Sequence, residues 1–400
     1  MRTPSRLLPT PKVSDEGHRV TTFELLFDLV FVCAFTQVTQ FMAHEHSALG
    51  VLQALIILGI LWWSWSSYAW LSNQTHVDEG IVRIGMCLAT AVMFVIALVI
   101  PEAFHDMDGG LSGPLVLAVA YLVVRAIHLS LYLLAAGSDA DLRRQVLRTS
   151  VSLITGSTLM IIGAIVGGEA QLWFWIGGLV ADIVLTYATS AGGSWRLHSA
   201  GHWAERHGLV IILALGESVV AIGVGAAQQA VSTEIIIGAG LAIALSIGLW
   251  WLYFDVIAIA AEHILGQREG VARAQLATDA YTYIHLLLIA GIVISALGVE
   301  EAIAHISSDE HFGLFGSAAL LGGTSLYLAG HAMFWRRVGG SWKYFRLAGG
   351  AVLLALIPAA VLLPAIVVLA GAVGITLAVI VAEVSVYSGK RREVRGSTGA

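Results

Sequence analysis

The chain has 400 residues, of which 58% are hydrophobic and 12% charged, and its formal net charge is −6. Soluble domains carry about 25% charged residues, so this composition excludes an ordinary soluble domain and predicts a chain that lies mostly in the lipid bilayer. The slightly acidic balance gives no support for nucleic-acid binding. The two cysteines, Cys33 and Cys87, lie in apolar segments, so we expect neither a disulfide framework nor a cysteine metal site.

Twelve apolar segments are long enough to be membrane helices, because crossing about 30 Å of hydrocarbon takes roughly 20 residues. The first 22 residues are polar and have no signal-peptide core, so the first segment should be a true span. The sequence therefore predicts an all-α polytopic membrane protein of about twelve transmembrane helices. Pro358 and Pro364 leave open whether the last two segments form a hairpin or one bent helix. The predicted segments are 23–43, 50–70, 81–100, 113–136, 147–167, 172–191, 207–227, 233–259, 278–298, 312–334, 346–363 and 366–388.

The first segment carries two carboxylates in its first turns. Glu24 and Asp28 are four residues apart, so they share one face of a helix. A charged side chain near the bilayer centre costs about 2.5–3.5 kcal/mol, and such residues face a bundle interior or a wet cavity. We therefore expect this face of the first helix to point away from lipid.

The basic residues alternate between successive loops. With Arg125 as the exception, all Lys and Arg residues fall on one side of the predicted topology, and the intervening loops carry none. The positive-inside rule then predicts a multi-pass inner-membrane protein with both termini in the cytoplasm. The clusters are Arg2, Arg6, Lys12 and Arg19; Arg83; Arg143, Arg144 and Arg148; Arg196 and Arg206; Arg268 and Arg273; Arg336, Arg337, Lys343 and Arg346; and Lys390, Arg391, Arg392 and Arg395.

Two halves of the chain share sequence features in the same order. Residues 59–63 in the second segment match 247–251 in the eighth, and Asp28 in the first segment aligns closely with Glu217 in the seventh. Each half has six segments, and an even number of spans gives both halves the same orientation in the membrane, so we expect a parallel repeat. In such repeats the binding site usually lies between the halves. The predicted organisation is a cytoplasmic tail (1–22), a first six-helix repeat (23–195), a second six-helix repeat (196–388) and a basic tail (389–400).

Intramembrane ionisable residues are the candidate site. Glu24, Asp28, Glu217 and Arg125 are expected to interact with an ion or a proton. Arg125 needs a carboxylate or a wet cavity, for which Asp28 or Glu217 would serve, and a buried ion pair that only fixes helix packing is the alternative. No catalytic, cofactor or metal motif is found. The secondary candidates are His128, Asp182, Asp255, His285 and His331.

Two long motifs resemble one known family. The stretch 24–32, and the stretches 205–209 and 214–220 together, are similar to the two signatures of the bacterial low temperature requirement A (LtrA) family, and the tryptophan runs 62–65 and 250–254 also fit. The resemblance implies a polytopic inner-membrane protein linked by name to growth in the cold. It implies no biochemical activity.

A second resemblance concerns the first helix. It is similar to the first-helix motif of the two-repeat endolysosomal potassium-channel family, whose pore is lined by the first helix of each repeat, here the first and seventh segments. This chain departs from that pattern, since no serine precedes Asp28 and Gly216 precedes Glu217. The matching residues are Asp28, Val30, Phe31, Ala34 and Thr36.

The leading functional hypothesis is transport or ion permeation along a polar path between helices 1 and 7. The expected ligand is a small cation or a proton, and the expected partner is the lipid bilayer. The sequence leaves open whether the protein forms a homo-oligomer. The alternatives are an intramembrane enzyme acting on lipid or prenyl groups, and a structural or stress-adaptation protein. The absence of a nucleophile or metal motif disfavours the enzyme.

Overall fold

The computed structural model describes residues 14–190, 195–227, 229–308, 310–386 and 388. Most of the predicted N-terminal tail and the whole basic tail 389–400 lie outside these residues. The part of the chain that is described contains eleven helices long and apolar enough to cross a membrane, and one shorter apolar helix. This confirms an all-α polytopic membrane protein. The helices are α1 (Thr22–Glu45), α2 (Ala48–Gln74), α3 (Gly80–Glu102), α4 (Gly113–Ala135), α5 (Ala140–Val166), α6 (Gly168–Ser190), α7 (Ala200–Ala226), α8 (Thr233–Gly266), α9 (Gly270–Ala304), α10 (Gly313–Gly339), α11 (Tyr344–Ala360) and α12 (Ala365–Val386).

The last two helices form a hairpin. α11 has 17 residues, which span about 26 Å at 1.5 Å per residue, and it contains Pro358 without ending there. A turn over residues 361–364 follows, and α12 then packs back against α11. Because the turn separates two helices that pack together, a single bent helix is excluded.

Three helices of the second half of the chain are irregular. α8 is interrupted after Phe254 and resumes at Ile257. α9 contains a π-helical segment at Ala277–Ile284, and α10 contains one at Ala318–Gly322. Such π segments widen the helix locally and occur often at functional sites.

The described residues pack as two compact units, one within 1–37 and 52–203 and the other within 38–51 and 204–400. In the first unit α3 packs on α4, α4 on α5, and α5 on α6. α2 also approaches α6 closely, since a Cβ added at Gly59 would lie 2.6 Å from Leu179 Cδ2. Small residues at helix contacts are typical of membrane bundles, because packing and not hydrophobicity holds helices together in lipid.

The second unit has a similar order of neighbours within itself. α9 packs on α10, α10 on α11, α11 on α12, and α12 on α8. A Cβ added at Gly248 of α8 would lie 2.9 Å from Thr376 Cγ2 of α12. The helix that carries the second tryptophan pair therefore contacts the last helix of its unit, as α2 contacts α6 in the other.

Candidate functional site

Glu24 is held by the start of its own helix. Its backbone N–H donates to Thr21 Oγ1 at 3.3 Å, and Glu24 Oε2 accepts from the backbone N–H of Thr21 at 2.8 Å. This reciprocal arrangement is a capping box, which satisfies N–H groups that have no partner within the helix. Glu24 is fully buried. Its second oxygen, Oε1, is directed elsewhere.

That second oxygen meets His202, at the start of α7. Glu24 Oε1 lies 2.9 Å from His202 Nε2, and both side chains have no solvent exposure. Ser199 caps α7 just before this histidine, because its Oγ accepts from the backbone N–H of His202 at 3.1 Å. His202 Nδ1 lies 3.3 Å from Asn73 Nδ2 at the end of α2.

His18 completes this cluster from the segment before α1. Its ring stacks on the His202 ring with centroids 4.6 Å apart and packs edge-on against His76 at the same distance. His18 is buried, and its Nε2 has no hydrogen-bond partner among the described residues. Burial lowers the pKa of His18 below its ordinary value of 6.5, and the neighbouring His202 adds to this effect. One ligand atom from each of His18, Glu24 and His202 lies within 4.8 Å of the others.

Asp28 lies one turn further along α1. Its Oδ1 accepts a hydrogen bond from Trp65 Nε1 of α2 at 2.9 Å, and Asp28 is 1% exposed. The spacing of Glu24 and Asp28 predicts that Asp28 faces the protein interior, and the structure confirms this. Trp65 belongs to the tryptophan run that the sequence analysis identified.

Arg125 pairs with Asp182. The expectation that Asp28 or Glu217 is the partner of Arg125 is therefore wrong. Arg125 Nη2 lies 3.0 Å from Asp182 Oδ1, with side-chain exposures of 2% and 0%. Tyr121 donates to Asp182 Oδ2 at 2.5 Å, and Arg125 Nη1 donates to Ser67 Oγ. The pair is not evident from local sequence, because Arg125 and Asp182 are 57 positions apart. The cluster ties α2, α4 and α6 together.

The second unit has its own buried ion pair. Arg346 donates from Nε and Nη2 to the two carboxylate oxygens of Glu383, at 2.9 and 2.8 Å. Arg346 Nη2 also donates to the Leu252 carbonyl at 3.0 Å, and Nη1 contacts His331 Nδ1. Arg346 was assigned to a basic loop, but it lies inside α11 and is 2% exposed.

Asp255 lies at the interruption of α8. It lines a cavity of about 170 Å³, whose wall also includes Trp251, Trp335, Arg346 and Glu383. Asp255 and His331 therefore both border the Arg346 cluster.

The other secondary histidines have structural contacts. His285 Nδ1 lies 3.0 Å from the Ala280 carbonyl, so Nδ1 carries the proton and Nε2 accepts from the Tyr253 hydroxyl at 2.9 Å. His128 is buried and packs against the rings of Tyr68 and Tyr132.

Glu217 lies in α7 and is 2% exposed. It is close enough to Glu300 of α9 for the two carboxylates to interact electrostatically. A like charge nearby makes full ionisation of both groups costly in a buried site. Two neighbouring carboxylates attract a cation electrostatically.

Sequence reasoning missed His18, His202, Arg346 and Glu383. Glu383 was detectable as a carboxylate inside the last apolar segment, which is rare in lipid. The Thr21–Glu24 spacing also matches the capping-box pattern before an apolar run. No local signal marks His18 and His202, because they are far apart in the sequence and meet only in the folded chain.

Comparison with known proteins identifies the family. Residues 19–381 match the family described as bacterial low temperature requirement A protein (LtrA). The uncharacterized protein RA0937 of Rhizobium meliloti (strain 1021) is 30% identical over 332 residues, which cover 79% of this chain and 76% of that protein. No solved structure matches. Because the match to the family covers nearly the whole chain, including both motifs around Glu24 and Glu217, the chain belongs to the bacterial low temperature requirement A family.

Proposed function

We propose that the protein moves a small cation or protons across the inner membrane, with carboxylates of α1 and α7 as the groups that bind the ion. The observation that carries this proposal is the burial of Glu24, Asp28 and Glu217, which are at most 2% exposed within apolar, membrane-length helices. Ionisable residues in such helices are costly to insert and commonly mark ion paths or proton relays.

Arg125 belongs to a buried Arg–carboxylate pair, as Arg346 does. Asp182 and Glu383 are each bound by a guanidinium, which neutralises the carboxylate and fixes its geometry. We therefore assign Arg125 to helix packing. Glu24, Asp28 and Glu217 are the proposed ion-interacting groups because they are buried in apolar helices of membrane length.

The proposal includes two halves of six helices each. The matched stretches 59–63 and 247–251 both lie in helices that contact the last helix of their own unit. Successive helices also pack in the same order in each unit. These features support a parallel repeat of two six-helix halves.

The proposed orientation has both termini in the cytoplasm, as the distribution of Lys and Arg favours. Cysteine labelling of intact cells tests it. A cysteine placed at Asp139, just before the basic first turns of α5, should resist a membrane-impermeant reagent, and one at Met107, in the acidic α3–α4 loop, should react. The reverse pattern would refute this orientation.

Flux into proteoliposomes tests the transport proposal. We expect wild type to carry K⁺, Na⁺ or H⁺ above the rate of empty vesicles. Asp28→Asn and Glu217→Gln should lower that flux about tenfold or more, a change equivalent to about 1.4 kcal/mol or more. Asp141→Asn, in an exposed ion pair of α5, is the matched control and should keep the wild-type rate.

Equal flux in wild type and both variants would refute the assigned roles. No flux above empty vesicles for any of these ions would refute transport of this ligand class. Reconstitution of each variant to the same protein content separates a transport defect from a folding defect.

A further inference from the structure

We propose that His18, Glu24 and His202 form a binding site for a divalent transition-metal ion, with Zn²⁺ the ion that fits their chemistry best. Two imidazoles and a carboxylate are a common zinc donor set, and three protein ligands leave the fourth position open. Neutral imidazole also suits Ni²⁺, Cu²⁺ and Fe²⁺. Binding at this site does not depend on the transport proposed above, so the two proposals can fail separately.

The geometry of the three side chains suits one shared ion. Their ligand atoms all lie within 4.8 Å of one another. His18 Nε2 is buried without a hydrogen-bond partner among the described residues, and a bound ion would explain why burying this nitrogen is tolerated.

The Glu24 carboxylate and the backbone at both histidines are held in place before any ion binds. The capping box binds Glu24 Oε2 and leaves Oε1 facing the cluster. Ser199 Oγ caps the helix of His202 and also donates to the His18 carbonyl at 3.1 Å. Hydrogen bonds that orient a ligating carboxylate are typical of metal sites.

Asn73 determines which nitrogen of the His202 ring carries the proton. Asn73 Oδ1 accepts from the backbone N–H groups of His198 and Ser199, at 2.7 and 3.3 Å, so its Nδ2 is the donor toward His202 Nδ1. The His202 proton therefore lies on Nε2 and faces Glu24. An ion bound at Nε2 requires that proton on Nδ1 instead, where it meets the Asn73 donor. Binding therefore breaks this contact, which lowers the affinity for the ion.

Metal binding by the purified full chain tests the proposal. The protein is isolated in detergent through a tag without histidine, stripped with a chelator and dialysed against Zn²⁺, with Co²⁺ as a spectroscopic probe of the ligands. We expect one Zn²⁺ per wild-type chain. Glu24→Gln and His18→Gln should weaken binding at least about tenfold. His46→Gln, which removes a histidine 3.5 Å from Glu301, is the matched control and should bind as wild type does.

A second variant tests the role assigned to Asn73. Asn73→Asp replaces the amide donor with a carboxylate, which can accept a hydrogen bond from a proton on His202 Nδ1. A carboxylate that accepts from a ligating histidine in this way raises metal affinity. We expect Zn²⁺ to bind about tenfold or more tightly. Unchanged or weaker binding by folded Asn73→Asp would overturn coordination through His202 Nε2.

The site as a whole is overturned by either of two results. The first result is that the wild-type protein binds no more Zn²⁺ than Glu24→Gln does. The second is that His46→Gln loses as much Zn²⁺ affinity as Glu24→Gln and His18→Gln do. Size-exclusion profiles and melting curves identify variants that fail to fold. His18→Gln lies before α1 and outside the membrane helices, so its binding result decides the question if Glu24→Gln does not fold.

Discussion

Arg125 Nη2 and Asp182 Oδ1 lie 3.0 Å apart in the first unit, with neither side chain more than 2% exposed. Tyr121 donates to the other oxygen of the carboxylate, and Ser67 accepts from the other terminal nitrogen of the guanidinium. Both charges have further hydrogen bonds, so part of their desolvation cost is compensated locally, while Arg125 Nε is buried without a hydrogen-bond partner among the described residues. A buried pair of this kind fixes the packing of the helices that contribute to it.

Asp182→Asn should destabilise the protein by about 3–5 kcal/mol, because it leaves a buried guanidinium without its counter-charge. The measurement is unfolding in detergent micelles on titration with SDS. Asp141→Asn is the comparison, since the Arg144–Asp141 pair lies 3.1 Å apart at exposures of 64% and 73% and its loss should cost less than about 1 kcal/mol. Equal destabilisation by the two changes would contradict the structural role of Asp182.

The sequence predicted the helices better than their details. A hydrophobic stretch of membrane length has few alternatives, because backbone polar groups in lipid must bond within a helix or a closed barrel. The π segments of α9 and α10 were not predicted, because a widened turn depends on neighbouring helices and leaves no distinct pattern of apolar residues. The sequence could not distinguish a hairpin from a bent helix for α11 and α12, because only the packing of one helix on the other separates the two.

Pairings between distant residues were the weakest predictions. The burial of Glu24 and Asp28 follows from their position in an apolar helix, and the structure places both in the interior. The partner of Arg125 could not be inferred, because several carboxylates lie at membrane depth and only the packing of α4 on its neighbours selects Asp182. Arg346 was misassigned since its position at a helix end resembles a topology-determining basic loop.

Gly291→Ala should destabilise the second unit by about 1–3 kcal/mol, as overpacking does. A Cβ at Gly291 of α9 would lie 2.5 Å from the backbone nitrogen of Tyr327 of α10, so the two helix backbones would have to separate. Gly371→Ala is the matched control in α12, where a Cβ would meet no atom within 4 Å. The control should be neutral or up to about 1 kcal/mol more stable. SDS unfolding measures both, and equal effects would contradict the close approach of α9 and α10.

Arg346→Lys should be almost as destabilising as removal of its partner by Glu383→Gln, at about 2 kcal/mol or more. The guanidinium binds both oxygens of Glu383 and the Leu252 carbonyl, and one ammonium cannot reproduce this planar arrangement. Arg337→Lys is the comparison, because Arg337 pairs with Asp279 at 2.9 Å with both side chains 39% exposed, and it should cost less than about 1 kcal/mol. Wild-type stability of Arg346→Lys would show that only the positive charge matters.

His198→Gln should reduce the loss of stability in mild acid. Burial lowers the pKa of His198, and Arg196 adds to this effect while Glu16 opposes it. The folded protein therefore keeps His198 neutral at a pH where the unfolded chain, with a pKa near 6.5, takes up a proton. Stability falls as the pH drops below about 6.5, and the fall continues down to the pKa of the folded state.

Melting temperatures between pH 7.5 and pH 5 measure this effect. The side chain introduced by His198→Gln would keep an amide within reach of Gln74 Oε1, which lies 3.0 Å from His198 Nε2, but it cannot take up a proton. The melting temperature of wild type should therefore fall more steeply below pH 6.5 than that of His198→Gln. His263→Gln, which alters an exposed histidine of α8, should follow wild type. Parallel curves for wild type and His198→Gln would mean that the His198 imidazole takes up its proton equally readily in the folded and unfolded states.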